Sequence, residues 1–131
     1  MRLVDSYRSL EAWKRAHAAL LLTLRSTDQA YHARARALFD QLRRAAISVE
    51  ANIVEGYALG TERYFQKHMR IAFGSAAEAE CLARAASELG YLGEGDVHGL
   101  EVELGIAMKA LRGLLKRARR PPRPTPDATR P

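Results

Sequence analysis

Charged and amide side chains that could form a polar site occur within two apolar segments, residues 41–56 and 71–80. These polar residues are Arg43, Arg44, Asn52, Glu55 and Glu78. Such groups could act on a ligand, or they could pair with each other and hold helices in register. Arginine stays charged when partly buried and binds a carboxylate through two parallel hydrogen bonds, which favours the structural role. We therefore predict a structural polar network in which Glu55 or Glu78 contacts an arginine of the helix that carries residues 41–56.

Metal-binding and nucleophilic side chains form no recognisable motif. Di-iron sites in helical bundles use Glu-x-x-His pairs, and no glutamate of this chain has a histidine three positions later. His17, His32, His68 and His98 lie in different segments, and His17 is predicted to be a hydrogen-bonded interior imidazole. Cys81 is predicted to be a buried small residue. We predict no metal, no cofactor and no enzymatic activity.

Length and composition limit the class of protein. A chain of 131 residues with 47% apolar residues is expected to form one domain with its own core. No apolar run is long enough to span a membrane, and the N-terminal residues lack the apolar stretch of a secretory signal. We therefore expect no membrane partner. A single cysteine cannot form an intrachain disulfide, and this favours a cytoplasmic location.

Apolar residues that recur at three- and four-residue spacing predict four helices, at about residues 9–26, 32–56, 61–89 and 97–118. Gly56 is expected to cap the second helix. Short connections favour an all-α fold, an antiparallel up-down-up-down four-helix bundle in residues 1–118. The proline-rich residues 119–131 cannot continue a helix and are predicted to be a disordered basic tail.

Each helix is expected to bury one apolar stripe. The third helix has the strictest repeat, since its stripe alternates steps of four and three and is mostly alanine. The four predicted stripes are Leu10, Trp13, His17, Leu20, Leu21 and Leu24; Leu38, Leu42, Ala45, Ala46, Val49 and Ile53; Phe65, Met69, Ala72, Ala76, Ala79, Ala83 and Ala86; and Leu100, Leu104, Ala107, Met108, Leu111, Leu114 and Leu115.

The charge is unevenly distributed along the chain. Residues 1–77 hold 12 basic and 7 acidic side chains, residues 78–103 hold 1 and 7, and residues 116–131 hold 6 and 1. Repeated cations of this kind suit contacts with nucleic acid phosphates. The predicted contacts are Arg34, Arg36, Arg43, Arg44, Arg63, Lys67, Arg70, Lys116, Arg117, Arg119 and Arg120. Acidic and basic halves of neighbouring subunits would also attract each other in a cyclic homo-oligomer.

Four sequence blocks resemble a known family. They are YRSLEAWKRA at residues 7–16, QLRRAAISVEANIVEG at residues 41–56, IAFGSAAEAECLARAASELGYL at residues 71–92, and the leucine-rich last helix. The chain resembles the bacterial four-helix-bundle proteins encoded in intervening sequences of 23S rRNA genes, and a related branch, the accessory variability determinant of diversity-generating retroelements. The resemblance implies a homo-oligomer, a pentamer in known cases, with basic surfaces suited to nucleic acid.

The resulting expectation is a non-enzymatic, cytoplasmic, homo-oligomeric bundle that binds RNA or DNA nonspecifically, as an accessory subunit of a nucleoprotein complex. Sequence-specific recognition is not expected, because no recognition-helix motif is present. The alternative is a protein–protein scaffold or adaptor whose partner is a reverse transcriptase or another neighbour-encoded protein. The genes that flank this one would distinguish the two roles.

Overall fold

The computed structural model describes residues 7–119. All regular structure in this part of the chain is helical, so the predicted all-α class is confirmed for it. The helices are α1 (Glu11–Gln29), α2 (Arg36–Ala58), α3 (Glu62–Glu88) and α4 (Glu94–Arg119), and a 3-10 turn (Ala33–Ala35) precedes α2. Arg119, predicted to belong to the tail, is the last residue of α4. The rest of the predicted disordered tail, residues 120–131, lies outside the described residues.

The four helices form a closed arrangement in which α1 and α3 each pack against both α2 and α4. Residue contacts between α2 and α3 run in opposite order along the two helices, from Gln41–Glu78 to Asn52–His68. The same opposite order holds for α1 with α2 and for α3 with α4. Neighbouring helices are therefore antiparallel, and the start of α3 lies beside the end of α4.

The predicted stripe of α3 is confirmed over most of its length. All its residues from Met69 to Ala86 are buried, and only Phe65 is half-exposed. Large side chains from the two neighbouring helices fill the space opposite this alanine seam. They include Phe39, Leu42, Val49 and Ile53 of α2, and Leu100, Leu104 and Leu111 of α4. Small residues on one helix and large ones on its neighbours give close interhelical packing with few voids.

The buried face of α1 differs from the prediction. Its buried residues are Ala12, Ala16, Ala19, Thr23, Ser26 and Thr27. Four of the predicted positions each follow a buried residue by one position in the sequence, which places them about 100° around the helix from the buried face. The leucines of α1 are therefore half-buried or exposed. The buried hydroxyls are satisfied within the helix, since Thr23 and Thr27 donate to carbonyl oxygens one turn earlier. Only small side chains allow α1 to approach both neighbours this closely.

Gly56 has a different role from the predicted cap. It lies inside α2, which continues to Ala58, and it is buried against α3. A Cβ atom at this position would lie 2.7 Å from the Cε methyl of Met69 and 3.1 Å from the Cβ of His68. A side chain at position 56 would therefore have to displace the end of Met69 and shift His68 slightly, and the left-handed turn after the helix is at Gly60, with φ of 70°.

Arg15 joins α1 to α4. Its guanidinium donates to Glu11 on the same helix at 2.7 Å and to Glu103 of α4 at 3.2 Å. The hydrogen bond from Arg15 holds the pKa of Glu11 below its ordinary value, and the hydrogen bonds to Glu11 and Glu103 raise the pKa of Arg15. Because Glu11 is exposed, this pair orients Arg15 toward α4 and contributes little to stability.

Candidate nucleic-acid interface

Five polar side chains form a ladder between α2 and α3. Asn52 donates from Nδ2 to the carbonyl oxygen of Ser48 at 2.8 Å, and the Ser48 hydroxyl lies 2.8 Å from that of Ser75. The Oδ1 atom of Asn52 is 2.8 Å from Nδ1 of His68, which lies 3.6 Å from a carboxylate oxygen of Glu55. Since Asn52 presents its oxygen to the ring, Nδ1 of His68 is the atom that carries hydrogen. The ladder holds the two helices in register.

The predicted ion pair between Glu55 or Glu78 and an arginine of α2 is wrong. Glu78 is exposed and accepts a hydrogen bond from Gln41 at 2.6 Å. Glu55 has His68 as its nearest cationic partner, and no salt bridge of the described residues joins either carboxylate to an arginine. Arg43 is twelve residues before Glu55, about 18 Å along the helix axis. It also points about 200° away from Gln41, which faces α3.

Arg43 instead binds the end of α1. Its Nε donates to the hydroxyl of buried Thr27 at 2.8 Å, and its Nη2 donates to Asp28 at 2.6 Å. The side chain is only 24% exposed. Arg43 is therefore a structural residue and is removed from the candidate nucleic acid contacts. The adjacent Arg44 is exposed and has no salt bridge among the described residues, so it belongs to the candidate contacts and not to the polar network.

Replacing Arg43 with alanine is expected to lower the free energy of unfolding by about 1–2 kcal/mol, because Thr27 loses a charged donor at a buried position. Arg44→Ala is the matched control, with an expected change below about 0.5 kcal/mol because the residue is exposed. Urea denaturation followed by circular dichroism would compare the two variants. Equal losses would show that the contact with α1 contributes nothing.

Six of the remaining predicted cations form two groups, one on α2 and the turn before it and one on α3. Arg34 and Arg36 lie at the start of α2, Arg44 lies about two turns further along it, and all three are exposed. The second group, Arg63, Lys67 and Arg70, lies on α3. The second group is exposed and shares one face of α3, because its spacing is four and three residues. None of these six residues belongs to a salt bridge of the described part of the chain.

The α3 group continues onto α4, and the sequence-based prediction missed part of this surface. Arg70, Arg112 and Lys116 line one cleft of about 400 Å³ between the two helices, together with Phe73 and Leu115. Arg112 was not predicted as a contact, although it lies four residues before Lys116 and therefore on the same face of α4. We call this feature the α3/α4 cleft. The predicted contacts Arg117, Arg119 and Arg120 follow it in sequence, and their side chains lie outside the described part of the structure.

The α3/α4 cleft has a cationic rim and an apolar wall. The guanidinium carbon of Arg112 is 5.6 Å from the centre of the Phe73 ring, within the range of a cation–π contact. Arg70, Arg112 and Lys116 belong to no salt bridge of the described residues. Three cations that share one recess without carboxylate partners repel each other, so an anion in the recess would be stabilised.

An apolar cleft of about 410 Å³ lies on the other side of the molecule, between α1 and α2. We call it the α1/α2 cleft. Leu20, Ile47 and Val54 line it, and the Ile47 side chain is 48% exposed. His17 lies at its edge, stacked on an aromatic ring and 2.8 Å from a carboxylate oxygen of Glu50. The predicted interior position of His17 is therefore wrong, since its side chain is 42% exposed, but its ring has a hydrogen-bonding partner.

Other kinds of site have no support in the described residues. Among residues 7–119, no three His, Cys, Asp or Glu side chains are grouped closely enough to hold a metal ion. The predicted burial of Cys81 is wrong, because Cys81 lies between two seam alanines in sequence and thus on the opposite, exposed face of α3. No helix in this part of the chain is both long and apolar enough to cross a membrane.

Comparison with known protein families gives one match. Residues 8–113 match the model of the 23S rRNA-intervening sequence protein family. The chain belongs to this family. The match covers all of α1 to α3 and most of α4, and it ends one residue after Arg112. No curated protein matches the chain. The relationship to the accessory variability determinant of diversity-generating retroelements stays a prediction.

Proposed function

We propose that this family member is a non-enzymatic, homo-oligomeric, up-down-up-down bundle that binds nucleic acid nonspecifically as an accessory subunit of a nucleoprotein complex. The observation that carries the proposal is the row of cations Arg63, Lys67 and Arg70 on α3, which belong to no salt bridge of the described residues and continue into the α3/α4 cleft. An unpaired surface cation can neutralise a phosphate and release its counterion, and several in a row give affinity that falls steeply with salt. The family description, which refers to 23S rRNA, makes RNA the first ligand to test.

Nonspecific binding follows from the kind of contact. Arg63, Lys67 and Arg70 project from one face of a helix whose opposite face is a buried alanine seam. Contacts with phosphates fix the position of a protein on nucleic acid but carry no sequence information. The exposed Arg34, Arg36 and Arg44 would make secondary contacts of the same kind with phosphates.

Homo-oligomerisation is supported by apolar surface that one copy of the bundle leaves open. Ile47 in the α1/α2 cleft is an exposed apolar residue, and so are Ile71 on α3 and Val102 on α4. Joining unlike faces of successive subunits gives a heterologous interface, which forms a closed ring when the rotation between subunits closes. The pentamer and the cytoplasmic location are parts of the proposal that come from the resemblance and from the single cysteine.

The second candidate function is that of a scaffold whose partner is another protein, including a reverse transcriptase or another neighbour-encoded protein. The α1/α2 cleft is the feature that favours it, because its surface is almost wholly apolar and an exposed apolar groove suits a protein partner. In that case the cations of α3 would serve contacts with acidic residues of the partner.

The test is binding of a structured RNA and a duplex DNA across a salt series, with the full chain and with a chain that ends at Lys116. Affinity that persists near physiological salt, with a slope that becomes smaller on truncation, supports nucleic acid binding and a role for residues 117–131. Loss of binding at modest salt for both proteins would favour the scaffold. The solution mass of the same samples tests assembly, since a mass of 14.6 kDa would contradict the homo-oligomer.

A further inference from the structure

The α3/α4 cleft combines two chemical features, a group of cations and an aromatic surface. Its rim carries Arg70, Arg112 and Lys116, and its wall carries Phe73 and Leu115. Phosphate recognition alone needs only cations on a convex face, such as the row on α3. A recess with an aromatic wall offers in addition a contact for a planar apolar group.

Arg112 contacts the aromatic ring of the cleft. Its guanidinium lies over the Phe73 ring, with 5.6 Å from Cζ to the ring centre. A guanidinium held at an aromatic ring keeps its charge and its N–H donors while losing little conformational entropy on binding. Nucleobases stack on aromatic rings and on arginine planes in proteins that bind single strands. The Arg112–Phe73 pair therefore offers a preformed stacking partner with a positive charge.

The size of the recess fits one unit of a polymer. Its volume of about 400 Å³ lies near the lower end of the range for small-ligand sites, which is roughly 300–1,000 Å³. Lys116 lies one helical turn beyond Arg112, so both cations flank the same recess. A single nucleotide has a planar base and an anionic phosphate, the two kinds of group that an aromatic wall and a cationic rim can bind.

We propose that the α3/α4 cleft binds one nucleotide of a single-stranded nucleic acid. The base stacks at the Arg112–Phe73 pair, and the adjacent phosphates bind Arg70 and Lys116. A duplex keeps the faces of its bases stacked inside, so it cannot stack a base at the aromatic wall. This inference rests on the proposed nucleic acid binding and adds a preference for unpaired strands.

The test compares a labelled single-stranded RNA with a duplex of the same sequence, using fluorescence anisotropy and the full chain. Arg112→Lys keeps the charge but removes the planar group, and Phe73→Leu keeps an apolar side chain but removes the ring. Each variant is expected to weaken single-strand binding about tenfold, since base stacking accounts for a factor of this order. Duplex binding should change less than about twofold, and the salt slope of R112K should not change, because phosphate contacts are retained.

Two matched controls lie outside the cleft on α3. Arg84→Lys makes the same conservative change at an exposed arginine of α3 that is not among the proposed phosphate contacts, and Phe65→Leu makes the same ring deletion at a half-exposed position. Both controls should bind single strands as the unaltered protein does. The solution mass of all four variants separates a binding defect from a change in assembly.

Distinct results would overturn this inference. If the unaltered protein binds both nucleic acids and R112K and F73L behave as it does, the cleft is not a nucleotide site, although the proposed function stands. If the unaltered protein binds neither, the proposed function fails as well. A lower solution mass of R112K or F73L without selective loss of single-strand binding would make the cleft a subunit interface. Binding of poly-glutamate that is equally sensitive to R112K would make it a site for an acidic protein.

Discussion

Replacing Phe39 with alanine is expected to lower the free energy of unfolding by about 3–5 kcal/mol, the usual cost of removing a buried aromatic side chain. Phe39 is in the first turn of α2 and has no exposed surface. Its ring centre is 6.4 Å from that of Tyr91, in an edge-to-face contact, and Tyr91 contacts His32 in the same way. Phe39 therefore joins the start of α2 to the connection between α3 and α4.

A loss of this size is large for a domain of this length, because the total stability of small domains is about 5–15 kcal/mol. The variant should also lose protection from hydrogen exchange around residues 89–94, since the contact of Tyr91 with the core is removed. Chemical denaturation at several protein concentrations measures the effect separately from any assembly.

Tyr31→Ala is the matched control for Phe39→Ala. Tyr31 lies near the same end of the bundle, but its side chain is 51% exposed. Its removal is expected to change the free energy of unfolding by less than about 0.5 kcal/mol. A loss below about 1 kcal/mol for Phe39→Ala would contradict the position of its ring in the core.

Reversing the charges of Arg63, Lys67 and Arg70 together, each to glutamate, is expected to weaken RNA binding at least about a hundredfold at low salt. Three phosphate contacts are lost, and three carboxylates then repel the backbone. All three residues are exposed, and they form no salt bridge with other described residues. The fold should therefore tolerate the change, and the circular dichroism spectrum and solution mass would verify this.

The matched control reverses the same number of exposed arginines in the first half of α2 and the turn before it, namely Arg34, Arg36 and Arg44. Its net charge is identical to that of the α3 variant. We expect a loss of at most about tenfold, because this group projects from α2 and the turn before it and not from the α3/α4 cleft, so it contributes mainly long-range attraction. An equal or larger loss for the α2 group would show that nucleic acid binds at the start of α2 instead.

The third helix shows how far local sequence patterns could predict this protein. Its buried face repeats every seven residues from Met69 to Ala86, and no other face of that helix is as uniformly small. A stripe of this kind is buried only when this one face of the helix packs against its neighbours, and the prediction of the buried face was confirmed. The helix count and the exposed cations of α3 were likewise accessible, because they depend on local spacing and on the cost of burying an unpaired charge.

The first helix shows where local patterns are insufficient. Its leucines form a more hydrophobic stripe than Ala12, Ala16 and Ala19, yet the alanine face is the buried one. The distance between α1 and its neighbours decided this, and that distance depends on side chains of α2 and α4. Arg43 is a similar case, since its partners Thr27 and Asp28 lie on another helix.

By itself, the sequence of this protein determined the all-α class of the described residues, which face of α3 is buried and which segments are basic. These properties depend on interactions between residues within a few turns of each other. Only the tertiary structure decided that Arg70 and Phe73 share a cleft with Arg112 and Lys116, about forty residues later in the chain. Their proximity arises from the antiparallel packing of α3 and α4, whose register is set by many weak contacts summed over the whole interface.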